Sequence, residues 1–139
     1  MTGTSPLSPR ELRAWLGILT VSRLLEQEME RRLKRDGGLS HPEFEVLLRL
    51  ARAEGRRMRM SDLAREAMLS KSRLTYHVTR LERDGLVRRR ACDSDRRAVW
   101  AELTDEGAAR LARVRPGHRA VVRDLLIDAL TEEELEVLG

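Results

Sequence analysis

Aromatic side chains are scarce in this chain: phenylalanine, tyrosine and tryptophan make up 3% of its 139 residues. The core must therefore use leucine, valine, alanine and methionine, whose spacing here favours a mainly helical protein. The longest apolar runs span only a few residues, whereas a transmembrane helix needs about 20. Residues 1–10 also lack the apolar segment of a secretory signal. These absences predict one globular domain in the cytoplasm, with no membrane partner.

Cysteine is almost absent too. The single Cys92 excludes an internal disulfide, although nearby arginines could lower the pKa of its thiol. The sequence shows no nucleophile motif and no phosphate-binding glycine loop. Metal-ligand spacing is also missing among the three histidines, His41, His77 and His118. The sequence therefore predicts no enzyme activity, no cofactor and no metal site.

Positive charge is concentrated in the middle of the chain. The formal net charge is +4, but residues 71–97 carry nine lysines or arginines against four acidic residues. Residues 124–139 carry six acidic residues and no basic one. A GC-rich coding sequence would explain abundant arginine but not its concentration in one block. This distribution favours a nucleic-acid-binding face.

Two start signals predict the first two helices. Ser8-Pro9-Arg10-Glu11 combines an N-cap serine, a proline at the first helical position and a capping-box glutamate. The apolar spacing that follows predicts a helix over about 9–36, ended by Gly37-Gly38. Ser40-His41-Pro42-Glu43 repeats the signal and predicts a second helix.

Two shorter helices and a β-hairpin are predicted next. We expect Ser61 to start a helix over 62–67, and Ser70 to cap another from Lys71 to about Asp84. Alternating residues before and after a charged tip, 92–97, then predict two strands. The remaining signals begin with Thr104 and Thr131, which predict a fifth and a sixth helix.

Two helices joined by a tight turn and followed by a hairpin indicate a winged helix-turn-helix, in a protein that is mostly α with a small β-hairpin. In the fourth helix Leu74, Val78 and Leu81 form a narrow apolar stripe that must face inward. The opposite face fits the DNA major groove, and the tip arginines fit a minor groove. The predicted DNA-binding residues are Ser70, Lys71, Ser72, Arg73, Thr75, Tyr76, Thr79, Arg80, Asp95, Arg96 and Arg97. The alternatives are a solvated helix face, a solubilising turn, and a winged-helix module that binds protein.

Several segments together resemble the MarR family of bacterial transcription regulators. They include Leu63-Ala64-Arg65, the run from Ser70 to Thr75, the run from Arg80 to Val87, Asp95-Arg96-Arg97, and Leu103-Thr104-Asp105-Glu106-Gly107. The resemblance implies a homodimeric repressor of pseudo-palindromic double-stranded DNA, in which Asp95 supports the wing arginine, Arg97. It also implies dimerisation helices at about 9–36 and 104–139 around a DNA-binding lobe at about 40–103.

The resemblance further implies a small aromatic or phenolic ligand, because many members bind one between the dimerisation helices and the DNA-binding lobe. The candidate residues for such a site are Leu12, Trp15, Leu16, Phe44 and Leu47. One alternative is that Trp15 belongs to the core or to the dimer interface. Another is a constitutive DNA-binding protein that has no ligand. Redox-sensing members carry a cysteine near the start of the first helix. This chain has none there, so redox sensing is not expected.

Overall fold

The computed structural model describes residues 5–92, 94–95 and 97–139. Its helices and strands are, in chain order, α1 (Pro9–Gly37), α2 (His41–Arg52), β1 (Arg57–Arg59), α3 (Met60–Glu66), α4 (Lys71–Arg83), β2 (Val87–Ala91), β3 (Val99–Leu103), α5 (Asp105–Leu125) and α6 (Glu132–Leu138). Single 3-10 turns cover Glu54–Arg56 and Ile127–Ala129. None of the described helices combines the length and apolarity needed to cross a bilayer.

The predicted helix starts are confirmed in all but one case. Complete capping boxes open α1, α2 and α6, and the Ser70 hydroxyl caps α4 by accepting from the Arg73 N–H. The prediction for α3 was wrong. This helix begins at Met60 instead of after Ser61, and the preceding Arg59 makes no side-chain capping bond. Because β1 ends at Arg59, strand pairing fixes where α3 starts.

The predicted hairpin is confirmed. It belongs to a sheet whose third strand the sequence did not predict. β2 and β3 pair antiparallel from Val87 with Leu103 to Ala91 with Val99. β1 joins the free edge of β3, with Met58 opposite Ala101, and gives the order β1-β3-β2. Three residues are too few for a period-2 pattern to be visible, so β1 could not be predicted.

The core lies between α2, α4, α5 and the sheet, with little contribution from α1. The α4 stripe of Leu74, Val78 and Leu81 is fully buried, as predicted. From α1, only Leu33 and Gly37 are buried. Most large apolar side chains in the N-terminal half of α1 are exposed, and Ile18 is 61% accessible. A single chain therefore leaves an apolar helix surface uncovered.

Candidate nucleic-acid interface

The outward face of α4 is polar and accessible along most of its length. Lys71, Ser72, Arg73, Thr75 and Tyr76 are exposed, whereas Thr79 is only half-exposed. The Thr75 hydroxyl donates to the carbonyl of Lys71 (2.9 Å), so its donor hydrogen is already used within the helix. The Ser70 hydroxyl is already used as the N-cap. The groups on this face that could reach base edges are therefore chiefly Arg73, Thr75 and Tyr76.

Arg80 is held at the edge of that face by a buried carboxylate. Its Nε donates to Oε1 of Glu43 on α2 (3.0 Å), and its Nη1 donates to the Tyr76 hydroxyl (3.3 Å). The bond with Tyr76, followed by the charge of Glu43, raises the pKa of Arg80. His77 lies 4.0 Å from Glu43, and burial lowers the pKa of this histidine. Arg80 therefore orients Tyr76 while remaining partly exposed itself.

The wing tip is stabilised through its backbone. The Asp95 carboxylate accepts from the backbone N–H of Arg97 (3.0 Å), and the Asp95 carbonyl accepts from the N–H of Ala98 (3.0 Å). We expected Asp95 to support the guanidinium of Arg97, but the bond that the structure shows between these residues goes to the backbone N–H. Arg97 is exposed. Arg96, the other predicted tip arginine, lies outside the described residues.

A cleft of about 370 Å³ separates α4 from the wing and is lined by two of the predicted cations, Lys71 and Arg97, but not by Arg73 or Arg80. Lys71 and Thr75 line it from the recognition helix, and Arg97 lines it from the wing. Arg59 at the end of β1 adds a third positive side chain that sequence reasoning missed. Only the pairing of β1 with β3 places Arg59 there, so no local sequence signal could have revealed it. Asp95 also lines the cleft, so among the described residues its three cations leave two positive charges in excess, a balance that favours phosphate groups.

The five candidate ligand-binding residues do not form one site within a single chain. Leu12, Trp15 and Leu16 are about half-exposed on α1, whereas Phe44 and Leu47 are buried in the core. Trp15 lies 18 residues before Leu33, the α1 residue in that core, or about 27 Å along the helix axis.

A small pocket between α2 and α5 does include Phe44. Its ring stacks on that of His118, with 4.3 Å between ring centroids. The other lining residues are Leu48, Arg52, Arg115, Arg119 and Val122. An apolar floor surrounded by arginines is suited to an aromatic anion.

Neither the thiol nor the histidines form a metal site in the part of the chain that the structure describes.

Cys92 and His118 each have a lowered pKa. Hydrogen bonds, chiefly with Ser94 and then with Trp100, lower the pKa of the Cys92 thiol to about 7. The sequence had suggested nearby arginines as the cause. Burial is the main reason that the pKa of His118 is lowered.

A recognition helix beside a cationic wing, mounted on helices that expose an apolar surface, defines a winged helix-turn-helix protein. Comparison with known proteins gives the same class. Residues 39–99 match the model of the MarR family. The HTH-type transcriptional repressor YetL of Bacillus subtilis is 32% identical over 123 residues, which cover 88% of this chain and 73% of YetL.

Two solved structures from Streptomyces coelicolor are similar over nearly the whole chain. Sco3205, a MarR family regulator solved in complex with DNA, has 40% identity and a TM-score of 0.96, over 100% of this chain and 87% of that one. AbsC, a second MarR family regulator, has 45% identity and a TM-score of 0.92, over 97% and 90% of the two chains. The chain belongs to the MarR family and is a transcription regulator, not an enzyme.

Proposed function

We propose that this regulator is a repressor that binds a pseudo-palindromic operator as a homodimer, with α4 in the major groove and the wing in the adjacent minor groove. The observation that carries the proposal is the cleft in which Lys71, Arg59 and Arg97 converge beside the outward face of α4. Support also comes from Sco3205, which was solved with DNA, and from YetL, which is named a repressor. The proposed function places the protein in the cytoplasm with the bacterial chromosome.

The proposed dimer uses α1, α5 and α6, at about 9–36 and 104–139, and leaves the lobe at about 40–103 to bind DNA. Most of the large exposed apolar residues support this division, because they lie on α1, at the end of α5 and on α6, whereas Met68, Tyr76 and Val99 lie in the lobe. Two recognition helices related by a two-fold axis would read two half-sites about one helical turn apart.

Salt dependence tests this proposal. The probe is a duplex selected from a random-sequence library by the protein itself. If each dimer contacts about 6–10 phosphates, the log–log slope of affinity against salt should be about −5 to −9. No binding of duplex DNA at low salt would contradict the proposal and favour the alternative, a winged-helix module that binds protein. Tight binding of one half-site by a monomer would contradict the dimer.

Substitutions in the helix and the wing should separate base reading from groove binding. Arg73→Ala should cost about 1–3 kcal/mol on the selected site and relax preference at one or two base pairs. Arg97→Ala should weaken binding in a way that depends on A/T content outside the half-site core, because a narrow minor groove attracts arginine. Equal losses for Arg73→Ala on selected and random DNA would assign Arg73 to phosphate contact instead.

We also propose that a small aromatic carboxylate or phenol releases the DNA. The pocket of Phe44, His118 and the three arginines lies where the proposed dimerisation helix α5 meets α2, so an occupant there could shift the DNA-binding lobe. A coupling of about 1–3 kcal/mol would weaken DNA binding roughly 5- to 150-fold. Salicylate and benzoate, titrated in a Trp100→Phe background, test this proposal through operator affinity and Trp15 emission.

Two variants then locate the ligand. If the ligand binds between α2 and α5, Arg119→Gln should reduce the response to salicylate while Trp15→Ala leaves it intact. The reverse result would place the ligand beside Leu12, Trp15 and Leu16 on α1. If a panel of aromatic acids changes neither Trp15 emission nor operator affinity, the ligand proposal fails.

A further inference from the structure

The outer face of the wing sheet carries four arginines around one tryptophan and one glutamate. Residues directly opposite each other in an antiparallel sheet share a face. The register therefore aligns Arg57, Glu102 and Arg88 in one row across the three strands. The neighbouring row consists of Arg59, Trp100 and Arg90. The opposite face, with Ala101 and Leu103 at its centre, packs on the core.

Contacts within this face hold the guanidinium groups in place. The Cζ atoms of Arg57 and Arg59 lie 5.1 and 5.7 Å from the centroid of the Trp100 ring. Arg88 and Arg90 both approach the Glu102 carboxylate, at 3.5 and 3.3 Å. An aromatic ring and a shared carboxylate therefore arrange four cations that would otherwise repel one another.

The charge of this face is far from balanced. All four arginines are exposed. Glu102 is the only acidic residue in the two rows, so they carry three positive charges in excess. By contrast Arg89, on the opposite face of β2, is paired with Glu82 at 3.0 Å. A concentrated positive potential on a rigid sheet is complementary to a polyanion.

The outer face is continuous with the DNA-binding cleft. Arg59 lines that cleft together with Lys71 and Arg97, and it also lies over Trp100 on the outer face. From Trp100 to Glu102 the rows advance about 7 Å along β3, the axial length of about two base pairs. A duplex that fills the cleft and continues outward past Arg59 would therefore pass close to the row of Arg57, Glu102 and Arg88.

We propose that this Arg–Trp face is a second phosphate-binding surface, which contacts the backbone of duplex DNA flanking the operator. The proposal rests on the proposed operator binding and deepens it. The flanking contact adds affinity without reading bases, because phosphates carry no sequence information. Arg57 and Arg90 are the test residues, since they lie on this face and outside the cleft.

The experiment measures affinity and salt slope for selected operator duplexes of increasing length, with identical centres and varied flanks. Wild-type protein should gain affinity and a steeper slope once the flanks are present. In Arg57→Gln/Arg90→Gln, the slope on long duplexes should be smaller by up to about 1.8, from two lost contacts, while the shortest duplex binds as before. If the variant and the wild type bind equally at 1 M salt, a slope smaller by about 1.8 makes the variant's affinity up to about 30-fold lower at 0.15 M salt. The control, Arg56→Gln/Arg65→Gln, removes the same charge at two exposed positions outside the cleft, the Arg–Trp face and the proposed dimerisation helices, and should keep the gain in affinity that the flanks give.

A second readout does not depend on the arginine variants. The chain has two tryptophans, so Trp15→Phe leaves Trp100 as the only indole. Its emission should change more when a long duplex binds than when the shortest one binds, since the shortest duplex reaches the Trp100 ring only through Arg59. Equal length dependence in the wild type and the Arg57/Arg90 variant, equal losses in the control, or a Trp100 emission that responds equally to both duplexes would overturn the proposal. Failure of the wild type to bind any duplex would instead overturn the proposed operator binding.

Discussion

Glu43 connects the start of α2 to the recognition helix through one carboxylate. Its Oε2 accepts from the backbone N–H of Ser40 (2.9 Å), which completes the capping box, and its Oε1 accepts from Arg80 (3.0 Å). The Glu43 carboxylate is buried, which strengthens both bonds, although the Arg80 side chain itself is about half-exposed. The position of Arg80 and Tyr76 on the proposed DNA-binding face therefore depends on where α2 begins.

Glu43→Gln should weaken both folding and DNA binding. An amide has one acceptor oxygen and a donor NH2, so one of the two donors facing it loses its partner. We expect a loss of about 1–3 kcal/mol in the free energy of unfolding, measured with urea, and lower operator affinity. Glu11→Gln is the matched control, because Glu11 completes the capping box of α1 without a partner on α4. Equal effects of the two variants on DNA binding would contradict the coupling.

At this scale the sequence revealed local contacts and missed distant ones. The capping boxes were predictable because each involves residues only three positions apart. The bond between Glu43 and Arg80 joins residues 37 positions apart, and no local pattern indicates it. The role of Asp95 in DNA binding stays a prediction, and whether its carboxylate bonds a backbone N–H or a guanidinium depends on the turn geometry.

Gly107 fixes the distance between α5 and the start of the wing. A Cβ atom at this position would collide with the carbonyl oxygen of Leu86. That same oxygen accepts from the N–H of Thr104, the N-cap residue of α5 (3.1 Å). The close approach therefore joins the proposed dimerisation helix directly to the DNA-binding lobe.

Gly107→Ala should destabilise the fold by about 1–3 kcal/mol, because the backbone must shift to admit the methyl group. Urea unfolding measures the change. Gly17→Ala is the control, since Gly17 also lies within a helix but has no atom within 4 Å of its added Cβ. That variant should keep its stability or gain up to about 1 kcal/mol from helix propensity. A harmless Gly107→Ala would contradict the close packing of α5.

The contact between α2 and α5 should make stability depend on pH. Burial, followed by the nearby His41, lowers the pKa of His118 from its ordinary value of 6.5, and Glu45 opposes this shift. As the pH falls below about 6.5, the unfolded chain binds a proton that the folded protein resists, so stability decreases. Urea midpoints at pH 7.5 and 5.5 should show that loss, with a smaller loss in His118→Phe. Identical pH dependence in the two proteins would exclude His118 as a source.

Among the elements, helices and the hairpin were predictable because periodicity and capping residues lie within each segment. The third strand was not, because Arg57–Arg59 becomes a strand only by pairing with β3. The missed strand also carries Arg59, so the sequence lacked one cation of the cleft and half of the Arg–Trp face. An error in one short element thus removed part of the candidate site.

Across the whole molecule, the basic block and most of the exposed apolar surface occupy different regions. The basic block surrounds α4 and the wing, whereas residues 124–139 carry only acidic charges and contribute exposed Leu125, Val137 and Leu138. The sequence predicted the basic face from charge alone. It could not show which α1 residues remain uncovered, because a long amphipathic helix has the same pattern whether its own chain or a second copy covers it.

Ile18→Glu should test whether a second copy covers α1. Ile18 is exposed in the single chain, so the substitution should leave the fold of the chain intact. In the proposed dimer, a charge at an apolar interface would be buried without a partner. The mass in solution, measured by light scattering, should fall from twice 16.0 kDa to 16.0 kDa. Operator affinity should fall by about 100-fold or more, because one recognition helix reads only one half-site.

Met68→Glu is the control, since Met68 is an exposed apolar residue outside the proposed interface. The mass of this variant in solution should equal that of the wild type. If Ile18→Glu kept both the mass and the affinity of the wild type, the α1 surface would not be the dimer interface.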